Sequence, residues 1–218
     1  MSATSRPAAT AELPFISVVI PVKDRYDEVR QCLSALSVSA YEKKEVIVVD
    51  DGSKIPLCET DLPGKCTVIR FDRSRGPSVA RNTGARAAAG TIILFLDSDC
   101  ILEQDILEKI GSLSLRYPSV AAFNGIYVTP PATESISSRF AALEMNYCFL
   151  NPPSTVFTAL SAIRREVFIE SGGFDESLTS PFADDVLLGW KLEELGYTTM
   201  FDFDLRTLHL KQYSFFSY

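Results

Sequence analysis

Asp97 and Asp99, separated by Ser98, follow directly on the apolar run Thr91–Leu96. Two carboxylates that close repel each other unless a cation sits between them. Mg²⁺ or Mn²⁺ takes hard oxygen ligands and can also bridge phosphate oxygens. A plain turn after a strand is the competing reading, since Asp and Ser are common turn residues. Asp50-Asp51-Gly52-Ser53 repeats the arrangement after a second apolar run. A carboxylate there can accept from a nucleobase N–H or from ribose hydroxyls, and Asp51, beyond the strand, is better placed than Asp50. An Asp-Gly turn that merely stops the strand is the alternative. In Arg75–Gly84, Gly76 and Arg81 stand at the start of a helix, where backbone amides and guanidinium groups both suit a diphosphate. A surface arginine with alanine packing explains Arg86 well and Arg81-Asn82 less well.

Asp184-Asp185 opens a later helix. The pair either complements the helix dipole or supplies a general base, one carboxylate raising the proton affinity of the other. His209, the only histidine, lies in the alternating stretch Thr-Leu-His-Leu-Lys. It is a metal ligand or an ordinary satisfied side chain. Any Ser–His or Cys–His chemistry must use it.

These residues need elements to position them. The β-branched run Phe15–Pro21, then Lys44–Asp50, Thr67–Phe71, Thr91–Leu96 and Val120–Val128 read as strands. Helical patterns fall between them at Tyr26–Val38, from Pro77 to Gly90, and at Gln104–Arg116. Alternation of this kind predicts an α/β fold, a mostly parallel central sheet flanked by helices on both faces. Ligands of such sheets bind beyond the carboxyl ends of the strands. Pro21–Arg25, Asp50–Ser53 and Asp97–Asp99 all stand at such ends, so the fold gathers them along one edge. The second half is less regular. An amphipathic helix is expected over Ser135–Leu150, broken by Asn151-Pro152-Pro153. A short strand at Ala159–Arg164, a helix at Arg165–Ser171 closed by Gly172-Gly173, a helix from Phe182 to Leu195 and an extended stretch over Thr198–Leu210 follow.

The 218 residues are 46% hydrophobic and 22% charged, which excludes a disordered, collagen-like or coiled-coil chain. A formal charge of -7 leaves no basic footprint for nucleic acid. Five cysteines without a C-x-x-C pattern suggest neither a disulfide framework nor a zinc site, and read as buried thiols in a reducing compartment. Met1–Leu13 is rich in Ala, Ser, Thr and Pro, with no apolar core of a signal peptide; it is read as a disordered tail before one domain at 14–218. No apolar run approaches the roughly 18 residues of a membrane span. Dinucleotide, P-loop and nucleophile-elbow glycine motifs are missing.

Phe15–Pro21, Asp50–Ser53, Gly76-Pro-Ser-Val-Ala-Arg-Asn82-x-Gly84 and Leu94–Asp99 together resemble the family-2 glycosyltransferases of GT-A fold. Gly172-Gly173-Phe174-Asp175-Glu176 and Asp184-Asp185-Val-x-Leu188 are similar to two later motifs of that family. The likeness spans about residues 15–210, and the order and spacing make it specific. It implies an inverting transfer of a sugar from a UDP- or GDP-linked donor to a saccharide or lipid-linked acceptor. Residues 14–100 would form the nucleotide-binding half and 101–218 the acceptor half. Pro21, Arg25, Asp51, Gly76, Arg81, Asp97 and Ser98 would contact the donor. Asp99, with Asp97 and His209, would hold Mn²⁺ or Mg²⁺. Asp185 would be the catalytic base beside Asp184. The family's commoner pair is Glu-Asp, so Asp-Asp leaves open which carboxylate acts. The Q-x-x-R-W motif of processive synthases is missing, which points to single-sugar transfer in cell-surface polysaccharide synthesis. A cytoplasmic protein with peripheral association at the inner membrane face is expected. Similar proteins often continue past a point such as Tyr218 into acceptor-binding or membrane-associated helices, so a truncated chain is expected. The oligomeric state stays open. Two alternatives are a non-catalytic nucleotide-sugar-binding module, disfavoured by Asp184-Asp185, and a sugar nucleotidyltransferase, disfavoured by Pro21-Val-Lys-Asp-Arg25 where a Gly-rich loop is wanted.

Overall fold

The computed structural model describes residues 12–128, 156–178 and 184–210. Most of the N-terminal tail, the helix expected over 135–150 and its Asn-Pro-Pro break lie outside these residues. So do Phe182-Ala183 and everything past Leu210.

Strands β1 (Ile16–Val22), β2 (Lys44–Asp50), β3 (Thr67–Arg70) and β4 (Ile92–Leu96) alternate with helices α1 (Tyr26–Ser37) and α2 (Pro77–Ala87). Strand β5 (Cys100–Leu102), helix α3 (Ile106–Arg116) and strand β6 (Val120–Val128) follow. Strand β7 (Leu160–Arg164), helices α4 (Arg165–Glu170) and α5 (Asp184–Glu194) and strand β8 (Thr198–His209) complete the described elements. The eight strands form one sheet in the order β3-β2-β1-β4-β7-β6-β8-β5.

Strand sequences sort their side chains by parity, because successive residues face opposite sides of the pleat. Ile16, Val18, Ile20, Val48, Leu94 and Leu96 pack with α1 and α3 on one face. Val19, Ile47, Val49, Ile93 and Phe95 pack with α2, α4 and α5 on the other. Both faces are covered, so β4 is buried at every residue and reads as a continuous apolar run. α1 turns Val29, Cys32, Leu33 and Leu36 inward at helical spacing. α2 lies close to the sheet because Gly84 has no side chain. A Cβ there would come within 2.3 Å of Val19 Cγ1 and 3.2 Å of Val49 Cγ2.

The sheet is parallel across β3-β2-β1-β4 and mixed beyond. β7 runs antiparallel to both β4 and β6. β8 runs parallel to β6, with two register shifts, and antiparallel to β5. The mostly parallel expectation thus holds for the first half and is too simple for the second. Apolar patterning reports burial and is blind to strand direction. β5 was invisible in sequence, since three residues are too few to show a period. Its pairing matters, because Cys100 stands opposite His209.

Candidate active site

β2, β1 and β4 are parallel neighbours, so their carboxyl ends open on one edge. A cavity of about 600 Å³ lies there. Pro21, Arg25, Asp51, Gly76, Arg81, Asp97, Ser98, Asp99, Asp185 and His209 all line it. Every site residue expected from sequence is gathered there except Asp184, which is buried beside it.

The loops are tied together before any ligand arrives. Asp24 has a left-handed backbone, φ 54°. Its N–H donates to Ser53 Oγ at 2.9 Å, and its Oδ1 accepts from the Lys54 N–H at 2.8 Å. The two neighbouring aspartates at the end of β2, Asp50 its last residue and Asp51 just beyond it, divide their work. Asp50 is wholly buried; it accepts from the N–H groups of Ser53 and Leu57 and pairs with Arg70. Burial raises its proton affinity, but those hydrogen bonds prevail and hold its pKa below the ordinary value. Asp51 instead reaches forward. Its carboxylate accepts from the Arg75 N–H at 2.6 Å, the Gly76 N–H at 3.1 Å and the Ser74 hydroxyl at 2.6 Å. It therefore shapes the loop that opens α2. Gly76, at φ 96°, makes the turn, and Pro77 starts the helix where its missing N–H leaves no gap.

Arg81 is the internal clamp. It is 6% exposed. One guanidinium nitrogen donates to Asp184 Oδ2 at 2.8 Å and the other to Asp97 Oδ1 at 2.9 Å. Burial disfavours its charge, but Asp97 and Asp184 outweigh burial and hold its pKa above the ordinary value. Its Nε is buried with no hydrogen-bond partner. The guanidinium lies 5.7 Å from the Phe174 ring centre. Phe174 is fixed in turn by Asn82, whose side chain accepts from the Phe174 N–H at 3.0 Å and donates to its carbonyl at 2.8 Å. The Gly-Gly-Phe-Asp-Glu segment is thus the seat of the clamp. Gly173 must lack a side chain, because a Cβ would stand 2.6 Å from Asn82 Oδ1.

The adjacent carboxylates of α5 face different surroundings. Asp184 is 1% exposed and accepts from Arg81 and from the Ser78 hydroxyl at 3.2 Å. Asp185 lines the cavity, and its Oδ1 accepts from the Val186 N–H at 2.8 Å. Burial, then the nearby Asp184 charge, push its pKa up to about 6. That is the proton affinity of a group able to take a proton near neutral pH.

Asp99 meets two partners: Arg25 Nη1 at 2.7 Å and His209 Nε2 at 3.4 Å. Burial raises its proton affinity; His209 and Arg25 overcome this and hold its pKa below the ordinary value. The β5–β8 pairing delivers His209 to this place, and the Leu210 N–H donates to the Asp99 carbonyl at 2.8 Å. Tyr127 stacks on His209 with ring centres 4.4 Å apart. Among the described residues no three His, Cys, Asp or Glu side chains form a closed metal cage. One carboxylate and one imidazole facing a shared cavity nevertheless fit a divalent ion whose remaining positions are filled by substrate oxygens.

Lys23, Ser74, Tyr127, Phe157 and Thr158 also line the cavity without a motif to mark them. Only their position after strand ends could have drawn attention to Lys23 and Ser74. No helix among the described residues is long and apolar enough to cross a membrane.

The chain is similar in sequence and in fold to known glycosyltransferases. The chain is 28% identical over 223 residues to glycosyltransferase AglE of Haloferax volcanii, covering 92% of this chain and 68% of that protein. It is 33% identical over 193 residues to the pre-mycofactocin glycosyltransferase of Mycobacterium tuberculosis, covering 83% of this chain and 39% of that protein. In structure it resembles a mannosyltransferase of Pyrobaculum calidifontis solved with GDP-Man and Mn²⁺, with a TM-score of 0.68 at 22% identity. That match covers 92% of this chain and 58% of the other. The chain therefore spans 39–68% of the length of these relatives. Residues 17–172 match the pattern described as Glycosyl transferase family 2. A match over that much of the chain, on a sheet of this order, leaves one assignment: the chain belongs to glycosyl transferase family 2 and has its GT-A fold.

Proposed function

We propose that this chain transfers one sugar from a UDP- or GDP-linked donor to a hydroxyl of a saccharide or lipid-linked acceptor, with inversion and with Mn²⁺ or Mg²⁺. The observation that carries this reading is Asp185, a carboxylate of raised proton affinity lining the same cavity as Asp97, Asp99 and His209. Structural relatives solved with GDP-Man and Mn²⁺, and with UDP-GlcNAc, support it.

Each residue then has a task. Asp51 holds the loop at Arg75–Gly76 and, with Pro21, borders the nucleoside; Asp97 and Ser98 border the ribose. Gly76 lets the amino end of α2 approach the diphosphate. Arg81 keeps Asp97 and Asp184 in register. Asp99 and His209 would hold the metal, with Asp97 beside them. When bound, the metal withdraws electron density from the leaving diphosphate. Asp185 accepts the acceptor's hydroxyl proton as the new carbon–oxygen bond forms. The bond from the anomeric carbon to the diphosphate oxygen breaks on the opposite face, and the diphosphate leaves with its electron pair. One displacement with one base inverts the centre, the logic of inverting glycosidases with a sugar hydroxyl in place of water.

Calorimetry with UDP and GDP, with Mn²⁺ and with EDTA, tests the donor half. Binding is expected only with the metal, and equal affinity in EDTA overturns metal dependence. Asp99→Ala is expected to erase the difference.

A further inference from the structure

We propose that Arg25 is the resident counter-cation of Asp99, occupying the ion's side of that carboxylate until a metal-bearing diphosphate displaces it. The inference rests on the donor reading above and adds an order to it: metal and nucleotide enter together.

Four observations carry it. First, Arg25 Nη1 lies 2.7 Å from Asp99 Oδ2, the same oxygen that His209 approaches. The carboxylate's cavity side is thus already paired with a cation. Second, the two partners differ in freedom. The Asp99 side chain is 9% exposed and fixed, whereas that of Arg25 is 39% exposed. A buried carboxylate left without a partner is costly, and a half-exposed guanidinium can fill and leave the place without disturbing the core. Third, the root of the arm is pinned. Asp24 is held in its left-handed conformation by Ser53 and Lys54, and the Arg25 carbonyl accepts from the Val29 N–H at 3.1 Å in the first turn of α1. Only the side chain is free to move. Fourth, a second acceptor waits nearby, with Glu28 Oε1 4.0 Å from the same Arg25 nitrogen.

The electrostatics follow. A guanidinium and a divalent ion cannot share one carboxylate oxygen without strong repulsion. Metal alone must therefore evict Arg25, with Glu28 the nearest second acceptor among the described residues. A diphosphate brings anionic oxygens that take the guanidinium in charge-assisted hydrogen bonds. Arg25 thereby makes metal binding conditional on the nucleotide.

The test is Mn²⁺ binding to the protein without nucleotide, read from the electron paramagnetic resonance of the free ion. Arg25→Gln is expected to tighten Mn²⁺ by ~10-fold, the size of one nearby like charge in a partly solvated site. Asp99→Asn added to it is expected to abolish the gain. In the wild type, UDP or GDP is expected to tighten Mn²⁺, and in Arg25→Gln that nucleotide effect shrinks. Mn²⁺ affinity unchanged by Arg25→Gln, with nucleotide-dependent Mn²⁺ binding intact in the wild type, overturns this inference and leaves the donor reading standing. No Mn²⁺ binding to the wild type even with UDP or GDP overturns both. Should Arg25→Gln not melt cooperatively, Arg25→Lys decides: a compact ammonium on a flexible stem holds Asp99 less firmly than a guanidinium, so Mn²⁺ tightens there too, and no change overturns the inference.

Discussion

Asp184 and Asp185 are chemically identical neighbours, and the structure separates them by surroundings. Asp184 faces Arg81 and Ser78 in the interior; Asp185 faces the cavity. Asp185→Asn is expected to lower turnover at least ~10²-fold with donor affinity kept, as for loss of a general base. Below pH 6 the wild-type rate is expected to fall about tenfold per pH unit as Asp185 takes up a proton, its pKa being about 6. Stability moves the other way. A carboxyl whose folded pKa lies above its unfolded one favours the fold at low pH, and that contribution is lost as pH rises through the folded value. Asp185→Asn is therefore expected to raise the melting temperature at pH 8 and to leave it nearly unchanged at pH 3. Asp184→Asn is expected to cost about 3 kcal/mol at pH 8, the low end for removing one partner of a buried pair, since an amide oxygen still accepts. Thermal melts of both variants at the two pH values check the contrast. The sequence marked both residues but could not divide their roles. Asp51 was legible as a cavity residue, whereas its three hydrogen bonds to the loop at 74–76 were not, because they join segments 23–25 residues apart.

At the scale of elements, α2 is the hub. It carries Arg81 toward the cavity and Asn82 toward the Gly-Gly-Phe-Asp-Glu segment, while Gly84 sets its distance from β1 and β2. Gly84→Ala drives a methyl into Val19 and is expected to cost about 1–3 kcal/mol, as overpacking does. The helix shifts outward and takes Arg81 with it, so turnover falls even where the protein still folds. Urea unfolding together with a rate assay measures both. α2 itself was plain in sequence, from Gly76-Pro77 at its start and the alanines along its length. β1, β2 and β4 were equally plain, since burial on both faces writes a continuous apolar run. β5 and the antiparallel direction of β7 were hidden, because three residues show no period and direction leaves no trace in side-chain type.

Over the whole molecule, the cavity draws on both halves: Asp51, Asp97 and Asp99 come from the first, Asp185 and His209 from the second. A ligand there links them. With UDP or GDP plus Mn²⁺ at about 100 times Kd, stability is expected to rise by ~2.7 kcal/mol, by mass action. Differential scanning calorimetry is expected to show one transition that moves as a whole, and none of that shift in Asp99→Ala. Two transitions, only one of them moving, would mean that the halves fold as separate units.

The pairing of Cys100 with His209 also sets a clock on biosynthesis. The two sides of that pairing are made far apart in time. At 5–20 residues per second, about 5–20 s pass between the synthesis of residue 100 and that of residue 209. Through that interval Asp99 is without its imidazole neighbour. The cavity is completed only as the chain's last described strand emerges.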